Sequence, residues 1–412
     1  MRSAWAAVSC VTQPACLLTE AAVYNRARQR YEGSYVEKTS RNLAIDAYRG
    51  FVMLLMMAEV LEFSRVAKAL PGNVLWGFLA FNQTHVPWAG CSLHDTIQPG
   101  FSFLVGVALP YSIAARMGRG ETFRKLFWHA LWRGFLLVAL GIFLRSTDKT
   151  QTYFTFEDTL TQIGLGYPFL FLLGFRPPKW QWAALGAILF GYWLAWALGP
   201  APVPGVFTGF LAHWNKGNNF GNSFDVWFLN LFPRAERFVQ NGGGYLTLSF
   251  IPTLGTMILG LAAGRWMRAA PRSGIAMRRL LAAGGIGIAA GLLLHFAGIC
   301  PIVKRIWTPA WTLFSGGLCF LFLAAFYWAM EVKLWRRWAF PLIVIGMNSI
   351  AAYVIAHFGE QFFPETFRIH LGAHFFAFLG APYEPLLRGL AVLSAYWLIL
   401  WWMYRRKLFL KI

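Results

Sequence analysis

The run T-H-V-P-W-A-G-C-S-L-H-D-T-I-Q-P-G-F-S-F-L-V-G, residues 84–106, places two histidines, His85 and His94, and one acid, Asp95, directly ahead of an apolar segment. Pro87 and Gly90 prevent one continuous helix from His85 to Asp95, since proline lacks an amide proton and glycine has poor helix propensity. The two side chains can therefore meet through a turn. A neutral imidazole beside a carboxylate is a base held in one tautomer. The same residues also fit a plain interfacial histidine and an N-cap aspartate for the helix that follows.

Outward from that stretch, composition sets the fold class. The 412 residues are 57% hydrophobic and only 13% charged, about half the charged share of a soluble domain. Twenty tryptophans and 38 phenylalanines suit lipid-facing surfaces and aromatic belts better than one soluble core. An all-α polytopic membrane protein follows, because helices satisfy their own backbone where lipid cannot. The formal charge of +20 is spread over short basic loops between apolar runs, such as the one holding Arg116, Arg119, Arg124 and Lys125. That is a topology signal and an attraction to anionic membrane lipid, not a nucleic-acid surface.

Ten apolar runs predict ten transmembrane helices, at about 45–63, 97–115, 127–144, 160–173, 180–198, 246–263, 280–299, 309–330, 340–357 and 386–404. A long outer loop, residues 199–245, separates spans five and six and is rich in Gly, Pro and Asn. The basic loops put both termini in the cytoplasm, with His85 and Asp95 facing outward. Residues 1–40 read as a cytoplasmic extension, partly disordered, whose first 18 residues only faintly match a signal peptide. Residues 41–412 form the transmembrane domain. The five cysteines make no C-x-x-C pair, and Cys91 reads as a small apolar filler.

Several charged residues fall within or at the ends of spans. Glu59 and Glu62, near the outer end of span one, fit either a wet cavity or the interface. Arg133 fits either snorkelling to the cytoplasmic face or a phosphate contact, and Arg49 fits a salt bridge to Asp46 or the same contact. Asn348 fits a hydrogen bond to a substrate oxygen or to a neighbouring helix. His370 and His374 have the i,i+4 spacing of metal ligands, but Gly372 lies between them and no third ligand is assured; no metal site is expected.

Five motifs in order resemble the heparan-α-glucosaminide N-acetyltransferase family and its bacterial relatives. They are R-N-L-A-I-D-A-Y-R-G-F (41–51), H-V-P-W-A-G-C-S-L-H-D (85–95), P-I-V-K-R-I-W-T (301–308), G-M-N-S-I-A-A-Y-V (346–354) and the ending Y-R-R-K-L-F-L-K-I (404–412). The chain departs from the family pattern at Val60, Ala89, Val303 and the T-Q-I-G of 161–164. The resemblance implies a transmembrane acyltransferase. It would take an acetyl group from cytoplasmic acetyl-CoA to an amino sugar or other envelope glycan on the outer side of a bacterial inner membrane. His85 would be the base or acyl carrier, with Asp95 beside it. Trp88, Glu59, Glu62 and Asn348 are the candidates for the acceptor side, and Arg49 and Arg133 for the CoA phosphates. A homodimer is compatible with this reading. A solute transporter or exporter on the same fold, or a membrane assembly partner without catalysis, are the alternatives.

Overall fold

The computed structural model describes residues 42–200, 204–217, 219–270 and 274–410. The expected N-terminal extension lies outside them. The described residues are helical throughout, with no strand and one isolated β-bridge.

Asn42 opens α1 (Leu43–Met57), its side-chain oxygen accepting the Ala44 and Ile45 amides at 3.1 and 3.3 Å. Such a cap satisfies amides that have no partner within the helix. A 3-10 turn, Ala58–Leu61, ends the segment, and Glu62 at φ 49° sends the chain into α2 (Phe63–Ala69) and α3 (Val74–Gln83). Then come α4 (Ile97–Met117), α5 (Phe123–Ser146), α6 (Thr159–Gly174) and α7 (Pro178–Ala197). Residues 199–245 are not bare loop: they hold a 3-10 turn, Gly209–Trp214, and α8 (Phe220–Leu229). The remaining helices are α9 (Phe250–Ala269), α10 (Gly274–Phe296), α11 (Pro309–Tyr327), α12 (Phe340–Met347), α13 (Ser349–Leu371) and α14 (Glu384–Arg405).

Six segments among the described residues are long and apolar enough to cross a membrane: His94–Met117, Phe123–Ser146, Thr247–Ala269, Gly274–Phe296, Pro309–Val332 and Ala381–Arg405. The α12–α13 pair, bent by 75°, makes a seventh if it is one broken span. Length and composition thus carry fewer spans than the ten apolar runs of the sequence. α6 has 16 residues and at 1.5 Å per residue reaches roughly 24 Å, short of a hydrocarbon core of about 30 Å, whereas α1 with its 3-10 continuation runs Leu43–Leu61 but carries Asp46, Arg49 and Glu59. α7 has the length, but Lys179, Gln181 and its tryptophans leave it too polar for that set.

α9 is the most enclosed of the spans and packs on α4, α6, α7 and α11. Its contact with α4 is backbone on backbone. A methyl on Gly260 would lie 1.9 Å from the Phe103 carbonyl, and one on Gly106 would lie 2.0 Å from that of Met257. Small residues permit this approach in helix pairs that gain nothing from hydrophobic burial against lipid. The close α4–α9 contact fixes α4 against the bundle, and Asp95 sits in the 3-10 turn, His94–Thr96, that leads into it.

Candidate active site

Three chain segments meet at one end of the bundle: the turn after α1, the loop 84–96 between α3 and α4, and the loop 301–308 before α11. Gln83 ties the first two together. Its amide donates to the Ala58 carbonyl at 2.6 Å and its oxygen accepts the Phe63 amide at 2.8 Å. Asn82 accepts the Leu93 amide at 3.2 Å. The second and third segments join through the bridge between Ala89 and Val303, with the Gly90 amide donating to the Ile302 carbonyl at 3.2 Å. Gly90 has φ 109°, a conformation glycine adopts without steric cost. Thr308 closes the third loop, its hydroxyl donating to the Pro301 carbonyl at 2.6 Å and accepting the Val303 amide at 3.2 Å.

This folding delivers Asp95, almost wholly buried, to His85. Oδ1 of Asp95 is 2.8 Å from Nδ1 of His85 and 3.2 Å from Nζ of Lys304. Oδ2 accepts the Val86 and Ser92 amides at 3.2 and 3.0 Å. Asp95 therefore does not act as a simple helix cap; its carboxylate is filled by the loop, the lysine and the ring. Acceptance by Oδ1 puts the imidazole proton on Nδ1 and leaves the lone pair on Nε2. The His85 side chain is 36% exposed, so the ring is reachable from outside the core. Lys304 also lies 3.0 Å from Nδ1. Two donors do not bond, so the ammonium turns to Oδ1 and acts on the ring through its charge.

Burial is the main influence on His85 and lowers its pKa below the ordinary value of 6.5; the Asp95 bond raises it, and the charges of Lys304 and His94 lower it. The net displacement is downward, so the ring stays neutral to lower pH than an ordinary histidine. Burial likewise pulls Lys304 below the usual lysine range, against the pull of Asp95. Burial pushes the Cys91 thiol up to about 12, which leaves it no thiolate to act as nucleophile. The acid limb of any reaction that needs neutral His85 will accordingly fall below about 6.5. Lys304→Met, by removing a positive charge from the ring's surroundings, will move that limb upward. A profile of kcat/KM against pH for both proteins measures it, and a wild-type limb above the ordinary histidine value contradicts the assignment.

His94 lies against His85, ring centroids 4.5 Å apart and planes inclined at 51°. Its Nε2 is 3.0 Å from Oε1 of Glu59, whose side chain is 54% exposed. Glu59 thus reaches the site through a second histidine. Glu62 turns away to Arg388 and Arg65, at 3.1 and 3.2 Å. Trp88 is buried beneath the loop, and its indole donates to the Trp214 carbonyl at 3.0 Å, anchoring residues 204–217 beside the site. Arg305 adds a second anchor, donating to the Gly243 carbonyl at 2.6 Å.

The other sequence candidates lie elsewhere. Asn348 donates to the Leu408 carbonyl at 2.7 Å and accepts the Leu410 amide at 3.1 Å, which fastens the tail after α14. It follows Gly346, which abuts the Asp46 carbonyl at the start of α1, whereas Glu59 follows that helix's end. Arg49 pairs with Asp46 at 3.5 Å on the same distant turn. Arg133 lies on α5, donating to the Tyr167 hydroxyl at 3.1 Å and stacking over that ring. With Arg116 and His129 it lines a small basic cavity among α4, α5 and α6, toward the far end of α4 from Asp95. The helical spacing of His370 and His374 is broken, since α13 ends at Leu371 and Gly372 has φ 93°.

Lys304 is the residue of the cluster that the sequence reading did not single out, and His94, named beside His85, was not given its partner Glu59. Lys304 stood in the quoted motif at 301–308. The signal was a Lys-Arg pair set between Ile302-Val303 and Ile306-Trp307, in a loop too short to hold both cations away from protein.

A search against family models finds no match. The chain is 24% identical to heparan-alpha-glucosaminide N-acetyltransferase of Homo sapiens over 90% of its own length, and 24% identical to that of Mus musculus over 92%. It spans about three fifths of the length of these curated relatives, 59% and 62%. The chain is an integral membrane protein distantly related to heparan-alpha-glucosaminide N-acetyltransferase.

Proposed function

We propose that the protein transfers an acetyl group from cytoplasmic acetyl-CoA to the amine of an amino sugar or envelope glycan on the outer side of a bacterial inner membrane. The observation that carries this reading is the Asp95–His85–Lys304 cluster: a partly open imidazole, fixed through Nδ1 by a buried carboxylate, with a buried cation beside it. Acyl transfer from a thioester needs a base or nucleophile, a group to stabilise the oxyanion, and room for the acceptor. Nε2 of His85 supplies the first, as base or as acyl carrier. Lys304 stands where a positive charge would face an oxygen formed beside the ring. Residues 204–217 and 219–245, anchored beside the site through the Trp214 and Gly243 carbonyls, would border the acceptor side. The thioester arrives from the side of the basic loops, where Arg116, His129 and Arg133 can meet its phosphates. In this arrangement the ten helical runs cross or enter the membrane, and both termini are cytoplasmic.

Purified protein in liposomes, given acetyl-labelled CoA and a panel of amino sugars, will produce labelled N-acetyl sugar. Movement of unmodified sugar across the vesicle without labelling would instead favour a transporter, and no labelling of any acceptor would remove the proposal.

A further inference from the structure

An amine acceptor is an ammonium at neutral pH, and it sheds two protons on becoming an amide. The site contains two imidazoles, each backed by its own carboxylate. Asp95 holds His85 at 2.8 Å, and Glu59 holds His94 at 3.0 Å, with the rings 4.5 Å apart. Two imidazolium ions this close would repel each other; a private carboxylate for each offsets that cost. His94 is buried, while Glu59 is more than half exposed. The dyad therefore runs from the surface, where a charged acceptor arrives, to the ring beside the reacting centre.

We infer that the Glu59–His94 pair is the base that deprotonates the acceptor's ammonium, with His94 as a second catalytic histidine. This rests on the acyl-transfer reading above. Glu59 attracts the ammonium through its carboxylate and accepts the Nε2 proton of His94, which leaves the lone pair on Nδ1. The ammonium gives its first proton to the dyad. The freed nitrogen lone pair then forms the C–N bond to the acetyl carbonyl carbon. The second N–H proton passes to Nε2 of His85, and the C–S electron pair leaves with the sulfur as CoA thiolate. One positive charge enters with the ammonium. Two protonated dyads and one thiolate remain, so charge is conserved. The neighbouring acid, Glu62, does not stand in this position, being taken up by Arg65 and Arg388.

The test is the ratio of two rates on the same preparation. Glucosamine must lose a proton before it can attack; hydroxylamine is largely neutral at neutral pH and needs no such base. Glu59→Gln and His94→Asn will each lower the rate of glucosamine acetylation relative to hydroxylamine acetylation by at least about tenfold. Because both rates come from one sample, the ratio does not depend on how much of the variant is folded. An unchanged ratio, whether both rates fall or neither does, overturns the dyad's role and leaves the acyl-transfer reading standing. A wild-type protein that acetylates neither compound overturns that reading and the dyad with it.

Discussion

His85→Ala will reduce acetyl transfer by roughly a hundred- to ten-thousandfold, the usual contribution of a positioned base, and by more if the ring carries the acyl group. The protein will still fold. The side chain is about a third exposed, and its removal leaves Asp95 with the Val86 and Ser92 amides and the Lys304 ammonium. No buried charge loses its last partner, so the usual route to a large loss of stability is absent. Single-turnover release of CoA, measured beside the thermal midpoint in detergent, separates the two effects. Wild-type turnover in folded His85→Ala protein would take the reacting group away from this ring, whatever the family likeness.

The meeting of His85 with Asp95 was legible in sequence because it needed only local rules. Pro87 and Gly90 forbid the helix that would have pointed the two side chains apart, and the apolar run after Asp95 starts a new one. All-helical character was legible for the same reason, since apolar runs separated by basic loops admit few other folds in lipid. What stayed hidden was long-range. Lys304 is 219 residues from His85 in sequence and reaches it only because Ala89 pairs with Val303. The pairing of His94 with Glu59 needs the 3-10 turn after α1, which no periodicity marks. Asn348 and Glu62 show the converse. Both have residue types that suit a site, yet each is spent on holding two elements together: Asn348 the tail after α14, Glu62 the start of that helix. Span length was the other weak point. Hydropathy detects that α6 is apolar, but not that its cap and turn stop it at 16 residues, and it passes over the three charges, Asp46, Arg49 and Glu59, carried by α1 and the turn that continues it.

Asp95→Asn will be as damaging as loss of the ring itself, although it changes one atom. Oδ2 accepts two backbone amides, so an asparagine at this position must turn its carbonyl oxygen toward Val86 and Ser92. Its NH2 group then faces Nδ1 of His85 as a donor, where a carboxylate oxygen stood as an acceptor. The ring responds by carrying its proton on Nε2, and the lone pair needed for chemistry points the wrong way. The same NH2 confronts Lys304, whose ammonium loses its counter-charge inside the protein. The first effect will lower turnover by roughly a hundred- to ten-thousandfold. The second will cost about 3–5 kcal/mol unless the lysine gives up its proton, to which burial already disposes it. The sign of the pH response distinguishes these causes. Removing the carboxylate removes what raised the His85 pKa, so the acid limb of the remaining activity will move further down. Stability will rise with pH as Lys304 loses its proton more readily in the folded chain than in the unfolded one. Thermal midpoints and turnover from about pH 6 to pH 9 test both slopes. An Asp95→Asn protein with wild-type turnover and an unmoved acid limb would mean that the carboxylate neither fixes the tautomer nor feels the ring, and the catalytic role of His85 would lose its structural basis.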